Sequence, residues 1–402
     1  MQFQDAYIPY GCYWSTPFSK WQMSFKTLEP IPFAAEVAKR ALEERSVPLD
    51  VFDGACLGLT IPSHRCFYGG PWLTALIGLK DVPAPMLSQA CATGVRSIAY
   101  AAQEIVTKSA SVFLAVTADK CSNGPHLVYP DPQGQGGTVD SEDWVLDNFG
   151  FDPVGRKPMF ITAENVAKEH GIERSIQDEV ALMRYEQYQN ALKDDRAFQK
   201  RYMVSPIEVK DKRGRKVLAT VNTDEGVFPT TTEGLAKLKP VVEGGTVTFG
   251  TQTFPADGNA GVVVTTRDKA KELSRDPKVE IQIVAHAQAR VKPAFMPMAN
   301  GPAVKLVLER AGIGVKDVKA MTSHTPFCVN DIFLSKEYGI DLKDMNRYGC
   351  SLIWGHPQGP TGMRGIIELI EELSILGGGW GLFTGCAAGD SSGAMVIKVT
   401  VS

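Results

Sequence analysis

Two distant stretches of this chain follow one plan. Cys91 sits in Ser88-Gln89-Ala90-Cys91-Ala92-Thr93-Gly94-Val95-Arg96 and is followed by helical periodicity over 93–108 and a buried strand over 111–118. His356 sits in Trp354-Gly355-His356-Pro357-Gln358-Gly359-Pro360-Thr361-Gly362 and is followed by helical periodicity over 361–376 and a strand over 380–385. In the first helix Val95, Ile98, Ala99, Ala102, Ile105 and Val106 share a face. In the second, Ile366, Ile367, Leu369, Ile370, Leu373 and Leu376 are apolar, and Glu368, Glu371 and Glu372 form a polar side. Two turn–helix–strand units of this kind predict a duplicated α/β core, with a site where both helix N-termini point. The length of 402 residues agrees, being too great for one ordinary core.

Further elements alternate around these units. Helices are expected over 32–45, 71–79, 175–193 and 303–311, and strands over 55–61, 84–89, 279–287 and 394–401. From 120 to about 250 the chain is richer in Pro, Gly and charge, as in Tyr129-Pro130-Asp131-Pro132-Gln133-Gly134, and reads as an excursion from the core. The net charge is −3 with no long single-sign run, which argues against nucleic-acid or membrane surfaces as partners. No apolar run is long enough to span a bilayer. Met1-Gln2-Phe3-Gln4-Asp5 has neither a basic nor an apolar leader, so a cytoplasmic protein is expected. None of the eight cysteines forms a CxxC pair, so free, mostly buried thiols are expected rather than disulfides. Cys56, His64 and Cys66 lack a fourth ligand, and no metal is expected.

Cys91 at the mouth of a helix faces the positive end of the dipole and unpaired N–H groups, which favour its thiolate. His356, between glycines and a proline at a second helix start, is placed to take the proton as a neutral imidazole. Cys386, in Phe383-Thr384-Gly385-Cys386-Ala387-Ala388-Gly389-Asp390, ends a strand in a small-residue turn and is a candidate acid/base. His324, in Thr322-Ser323-His324-Thr325-Pro326-Phe327, is a candidate donor to an oxyanion. Gly389-Asp390-Ser391-Ser392-Gly393 has the spacing of a serine-hydrolase elbow, but a strand rather than a helix follows it and no later histidine exists. Gly377-Gly378-Gly379-Trp380-Gly381 also precedes a strand, so no nucleotide redox cofactor is expected.

In this order the segments resemble the thiolase superfamily. Met159-Phe160-Ile161-Thr162-Ala163-Glu164-Asn165-Val166-Ala167 is similar to its M-G-x-T-A-E-N-x-A, Thr232 to Pro240 to its T-x-E-x-L-A-x-L-K-P, and Asp257-Gly258 to its D-G-A. The resemblance implies a five-layered αβαβα fold of two similar halves: residues 1–119 as the N-terminal half, 120–250 as an inserted CoA-binding loop domain, 251–268 as a return strand, and 269–402 as the C-terminal half. It implies an acyltransferase with coenzyme A as co-substrate and at least a homodimer or dimer of dimers. Cys91 would carry the acyl group, His356 would accept its proton, and Cys386 would exchange a proton with the carbon nucleophile or leaving enolate. His324, with His356, would polarise a thioester carbonyl, and the backbone N–H groups of Cys91 and Ala388 would form the oxyanion hole.

Departures from the family pattern bear on the substrate. His324-Thr325-Pro326-Phe327 replaces N-E-A-F, and its histidine resembles the H-D-C-F of sterol-carrier-protein-type thiolases, some of which work with a zinc-ribbon/OB-fold partner. Pro158 and Phe160 replace His and Gly, Thr253 replaces a serine, and Ala388 replaces a glycine and fits only where φ is not positive. Met159, Phe160, Thr253, Met298 and Phe327 are the expected acyl-pocket residues. These changes favour a branched, aryl or dicarboxylic 3-oxoacyl-CoA, benzoylsuccinyl-CoA being one instance, in a degradative pathway. The alternatives are a biosynthetic acetoacetyl-CoA-forming thiolase with an accessory subunit, a ketoacyl-synthase-like condensing enzyme, and a non-catalytic scaffold subunit. Lys212, Arg213 and Arg215, in a basic cluster with Lys210 and Lys216, are candidates for CoA phosphate contact, against a plain solvated hairpin tip.

Overall fold

The computed structural model describes residues 2–402. Two sheets carry the chain. The first has the order Tyr13–Ser15, Ala256–Thr265, Val112–Lys120, Gly54–Gly58, Met86–Leu87, with Ser19–Lys20 also on the Ala256–Thr265 strand. The second has the order Val279–Arg290, Ser391–Val401, Gly378–Ala387, Val318–His324. In each sheet a parallel set, three strands in the first and two in the second, is extended on one side by two antiparallel strands. The parallel partners are joined through the helices Thr93–Val106 and Gly359–Ile375, as a parallel pair requires a crossover. The repeated plan in the sequence is thus a repeated topology.

Those two helices form the layer between the sheets. Ile98, Ala102 and Ile105 of one and Ile366, Ile370 and Leu373 of the other are buried together with Ala115, Val262, Ile281 and Phe383 from both sheets. Each fully buried large aliphatic side chain contributes about 1.5–3 kcal/mol relative to exposure. At Gly94 the helices almost touch. A Cβ there would lie 2.4 Å from Met363 N and 2.5 Å from Gly359 O. The outer layers are Pro30–Glu44 and Gly69–Ile77 over the first sheet and Asn300–Ala311 and Cys328–Tyr338 over the second, which completes αβαβα.

The polar side expected on the Gly359–Ile375 helix is not solvated. Glu368, Glu371 and Glu372 are buried. Glu371 accepts from Tyr10, Tyr13 and Arg201, Glu368 from Tyr202 and Arg364, and Glu372 from Arg347. A helix covered by sheets on both sides buries its charges and must pair them.

The excursion leaves at Lys120 and returns antiparallel to the same strand, from Asp257 opposite Lys120 to Thr265 opposite Val112. It holds two hairpins, His126–Pro130 with Val139–Asp143 and Ile207–Lys210 with Val217–Val221, and the helices Met159–Glu169 and Arg174–Lys200. The latter departs from helical geometry at Lys193 to Arg196, where the sequence periodicity stops. Buried pairs tie the excursion to the second half: Arg184 to Asp331 at 2.9 Å, and Asp224 to Arg364 at 2.6 and 2.9 Å. The expected strand over 84–89 shrinks to Met86–Leu87, because the chain turns sharply ahead of Cys91. All eight cysteines are free, and seven are buried. No helix among the described residues is long and apolar enough to cross a membrane.

Candidate active site

Cys91 follows Ala90, whose φ of +43° marks a tight turn. Thr93 secures that turn, its hydroxyl bonding to Ala90 O at 2.7 Å and receiving Gln89 N–H at 2.7 Å. The thiol is 9% exposed, at the N-terminus of the first buried helix. His356 lies in the turn before the second. Its backbone is clamped in extended form, N–H to Phe254 O at 2.9 Å and C=O from Ala256 N at 3.2 Å. His324 ends the Val318–His324 strand, in register with Gly385 on the neighbouring strand, so Cys386 emerges beside it. A helix start, a strand end, a turn and a second strand end meet at one point, at the carboxyl ends of parallel strands where α/β folds place ligands.

The reactive atoms are close. Cys91 Sγ and one ring nitrogen each of His324 and His356 lie within 4.8 Å of one another. The two imidazoles stack, with centroids 4.1 Å apart and planes 27° from parallel. Each ring is held at Nδ1, His356 by Thr361 Oγ1 at 2.6 Å and His324 by Ser351 Oγ at 2.7 Å, while both Nε2 atoms are buried without partners. Ser351 Oγ already accepts Thr325 N–H at 3.0 Å, so its own proton is free for His324 Nδ1. When Ser351 donates that proton to Nδ1, His324 Nε2 carries the ring proton and can donate into the site. The backbone N–H groups of Ala388 and of Cys91 itself face the Cys91 sulfur and favour its charged form. Ala388 does not have positive φ, and Gly389 beside it takes that conformation at +80°, so alanine is accommodated.

The resting charge state differs from the expected thiolate. Burial pushes the Cys91 thiol up to about 11, against the pull of the two N–H groups. Burial also pushes His356 down to about 3, and His324 well below its ordinary value. Helix ends supply partial charge only, and no full cation stands close enough to stabilise a buried anion. The empty site therefore holds a neutral thiol and neutral imidazoles. Cys386 is also held as a thiol by burial. Its sulfur receives Asn330 Nδ2 at 3.1 Å.

Two polar neighbours were not legible beforehand. Asn330 lies in the first turn of the Cys328–Tyr338 helix, and nothing in its sequence context marks it. Gln358 stood in the His356 segment with no role assigned to it, yet its Oε1 lies 3.3 Å from Cys91 Sγ. Among the pocket residues, Met159, Phe160, Met298 and Phe327 join one apolar cluster that also contains Cys386. Thr253 joins the histidine shell, its N–H bonding to Pro326 O at 2.8 Å and its hydroxyl to Ser351 O. Lys212, Arg213 and Arg215 occupy an exposed hairpin turn organised by Asp211, outside the buried cluster. Cys91, His324 and His356 are also the group of three among the described residues that could hold a metal ion.

The comparisons agree with this geometry. Residues 14–268 match the N-terminal domain model of thiolase, and 277–399 match the C-terminal domain model. The chain is 31% identical to the beta-ketothiolase BktB of Cupriavidus necator, over 93% of this chain and 94% of that one. It is 30% identical to human mitochondrial 3-ketoacyl-CoA thiolase, over 96% of each. The crystal structure of that human enzyme superposes with a TM-score of 0.90 at 28% identity, covering both chains fully, and a second structure of it, in complex with CoA, superposes at 0.88. With both domain models matched in sequence and the whole chain matched in structure, this protein belongs to the thiolase family.

Proposed function

We propose that the chain is a thiolase that cleaves a 3-oxoacyl-CoA with coenzyme A through an acyl-enzyme on Cys91. The observation that carries this reading is the buried convergence of Cys91, His324 and His356 under two backbone N–H donors. The Cys91 S–H bond breaks as its proton passes to His356 Nε2, and sulfur attacks the 3-oxo carbon. Charge on that oxygen falls to the N–H groups of Cys91 and Ala388. The bond between C2 and C3 then breaks. The departing acyl-CoA enolate holds its charge on the thioester oxygen, within reach of His324 and His356, and takes its carbon proton from Cys386. The thiol of CoA then gives its proton to the Cys386 thiolate and attacks the acyl-enzyme, and the departing Cys91 sulfur takes back the proton held on His356 Nε2. Because neither the thiol nor the imidazole is charged at rest, proton transfer accompanies attack instead of preceding it.

The acyl group is read as branched, aryl or dicarboxylic. Support comes from Met159, Phe160, Met298 and Phe327, which belong to or pack against the apolar cluster that contains Cys386, and from polar Gln358 beside Cys91. His324 supports reading the chain as one of the sterol-carrier-protein-type members. The boundaries 1–119, 120–250, 251–268 and 269–402 are kept as its functional parts, with 120–250 facing CoA. A homodimer is inferred from the two-residue Met86–Leu87 strand at the sheet edge, near exposed Phe67 and Tyr68.

Release of acyl-CoA from a panel of 3-oxoacyl-CoA esters, with and without a zinc-ribbon/OB-fold subunit, tests the substrate. Cys91→Ala tests the mechanism: turnover should disappear while the protein stays folded, and retained turnover would sink the assignment. Condensation of a malonyl donor with decarboxylation would instead identify a ketoacyl-synthase-like enzyme.

A further inference from the structure

Gln358 has φ +59° and ψ −107°, a pair that belongs to the first central position of a type II′ turn, where glycine is usual. It is 6% exposed. Its carbonyl receives Thr361 N–H at 3.2 Å, and the next N–H, of Gly359, is held by the Asp119 carboxylate at 2.9 Å. Backbone strain of this kind persists only where the surroundings fix it. The strained turn sends the side chain inward. Oε1 lies 3.3 Å from Cys91 Sγ. Nε2 is buried without a partner, as is His356 Nε2. A primary amide offers an acceptor and a donor side by side on one planar fork.

We propose that Gln358 is a catalytic residue whose amide turns over as Cys91 ionises. At rest Oε1 accepts the Cys91 S–H. When that bond breaks and the proton joins the lone pair of His356 Nε2, sulfur becomes an acceptor and His356 Nε2 becomes a donor. Half a turn about the terminal torsion of Gln358 brings its buried, unpartnered Nε2–H to the thiolate. The bond to charged sulfur is the stronger of the two states. Leucine at this position would fill similar space and supply neither group.

This inference rests on Cys91 being the nucleophile but needs no knowledge of the acyl substrate. Its test is alkylation of Cys91 by iodoacetamide, resolved by mass spectrometry from pH 6 to 10, in the full chain and its Gln358→Leu and Gln358→Gly variants. The leucine variant should react at least tenfold more slowly at pH 8, with its profile displaced upward by about one pH unit. The glycine variant suits the positive φ, should melt no lower than the parent, and should be slowed to a similar degree. An unchanged profile for Gln358→Leu would overturn the proposal. So would parental reactivity in Gln358→Gly, because the turn and not the amide would then set the rate. If the leucine variant does not fold, the glycine variant decides. Turnover surviving in Cys91→Ala would refute the thiolase mechanism without altering these alkylation profiles, so the two failures are separable.

Discussion

Asp224→Asn removes one charge from a heavily hydrogen-bonded carboxylate that joins the excursion to the core. Asp224 receives Phe18 N–H at 2.8 Å, Tyr188 OH at 2.9 Å, Gln199 Nε2 at 3.3 Å and both terminal nitrogens of Arg364 at 2.6 and 2.9 Å. The side chains of Asp224 and Arg364 are both shielded from solvent. The guanidinium also lies 4.4 Å from the Trp354 ring centroid and 4.9 Å from that of Phe18. With asparagine its remaining anionic partner is Glu368 at 2.9 Å, which also serves Tyr202. Breaking a buried pair on one side costs about 3–5 kcal/mol. At about 2.1 cal/mol/K per residue, a chain of 402 residues has an unfolding entropy of about 0.8 kcal/mol/K. The melting temperature should therefore fall by about 4–6 °C. Differential scanning calorimetry on parent and variant measures this, and Asp224→Asn with Arg364→Met should recover part of the loss. A shift below one degree for the single variant would refute the reasoning, since the ion pair would then contribute nothing net to holding the excursion on the helix that follows His356.

Three further outcomes follow from the site. With the Cys91 thiol at about 11, iodoacetamide alkylation of the unliganded protein should climb about tenfold per pH unit between pH 7 and 9. A plateau near neutrality would reveal a resting thiolate–imidazolium pair. Zinc ions should inhibit turnover reversibly by binding Cys91, His324 and His356, with recovery on adding a chelator; Cys91→Ala should weaken zinc binding measured by calorimetry. Gly94→Ala should lower stability and turnover together, because its Cβ would meet the backbone of the opposing helix at 2.4 and 2.5 Å; wild-type melting would contradict that contact.

The duplicated core was legible because the Thr93–Val106 and Gly359–Ile375 helices carry strong local periodicity, and because each follows a turn rich in small residues. The burial of the charged positions on the second helix was not legible, for a physical reason. Periodicity reports which residues are apolar, but not that Tyr10, Tyr13, Arg201 and Tyr202 arrive from elsewhere to bury its glutamates. Cys91, His324, His356 and Cys386 stood out because each sits in an unusual local setting. Their protonation states did not, since burial by both sheets outweighs the helix end that the local sequence displays. Gln358 and Asn330 needed the fold, because a polar residue in a turn or on a helix usually faces water, and only the packing turns these two inward.

The strand order of the first sheet also sets a timetable for synthesis. Ala256–Thr265 lies between Tyr13–Ser15 and Val112–Lys120, so that sheet cannot close when its early strands leave the ribosome. At about 5–20 residues per second, the return strand arrives roughly 7 to 30 seconds after Lys120. The helix that carries the His356 turn, which covers the inner face of the same sheet, comes later still. A nascent chain therefore presents an unfinished, apolar half-sheet with Cys91 at its rim for many seconds. Chaperone demand and thiol oxidation during expression should both concentrate in that interval, and slower translation should lengthen it.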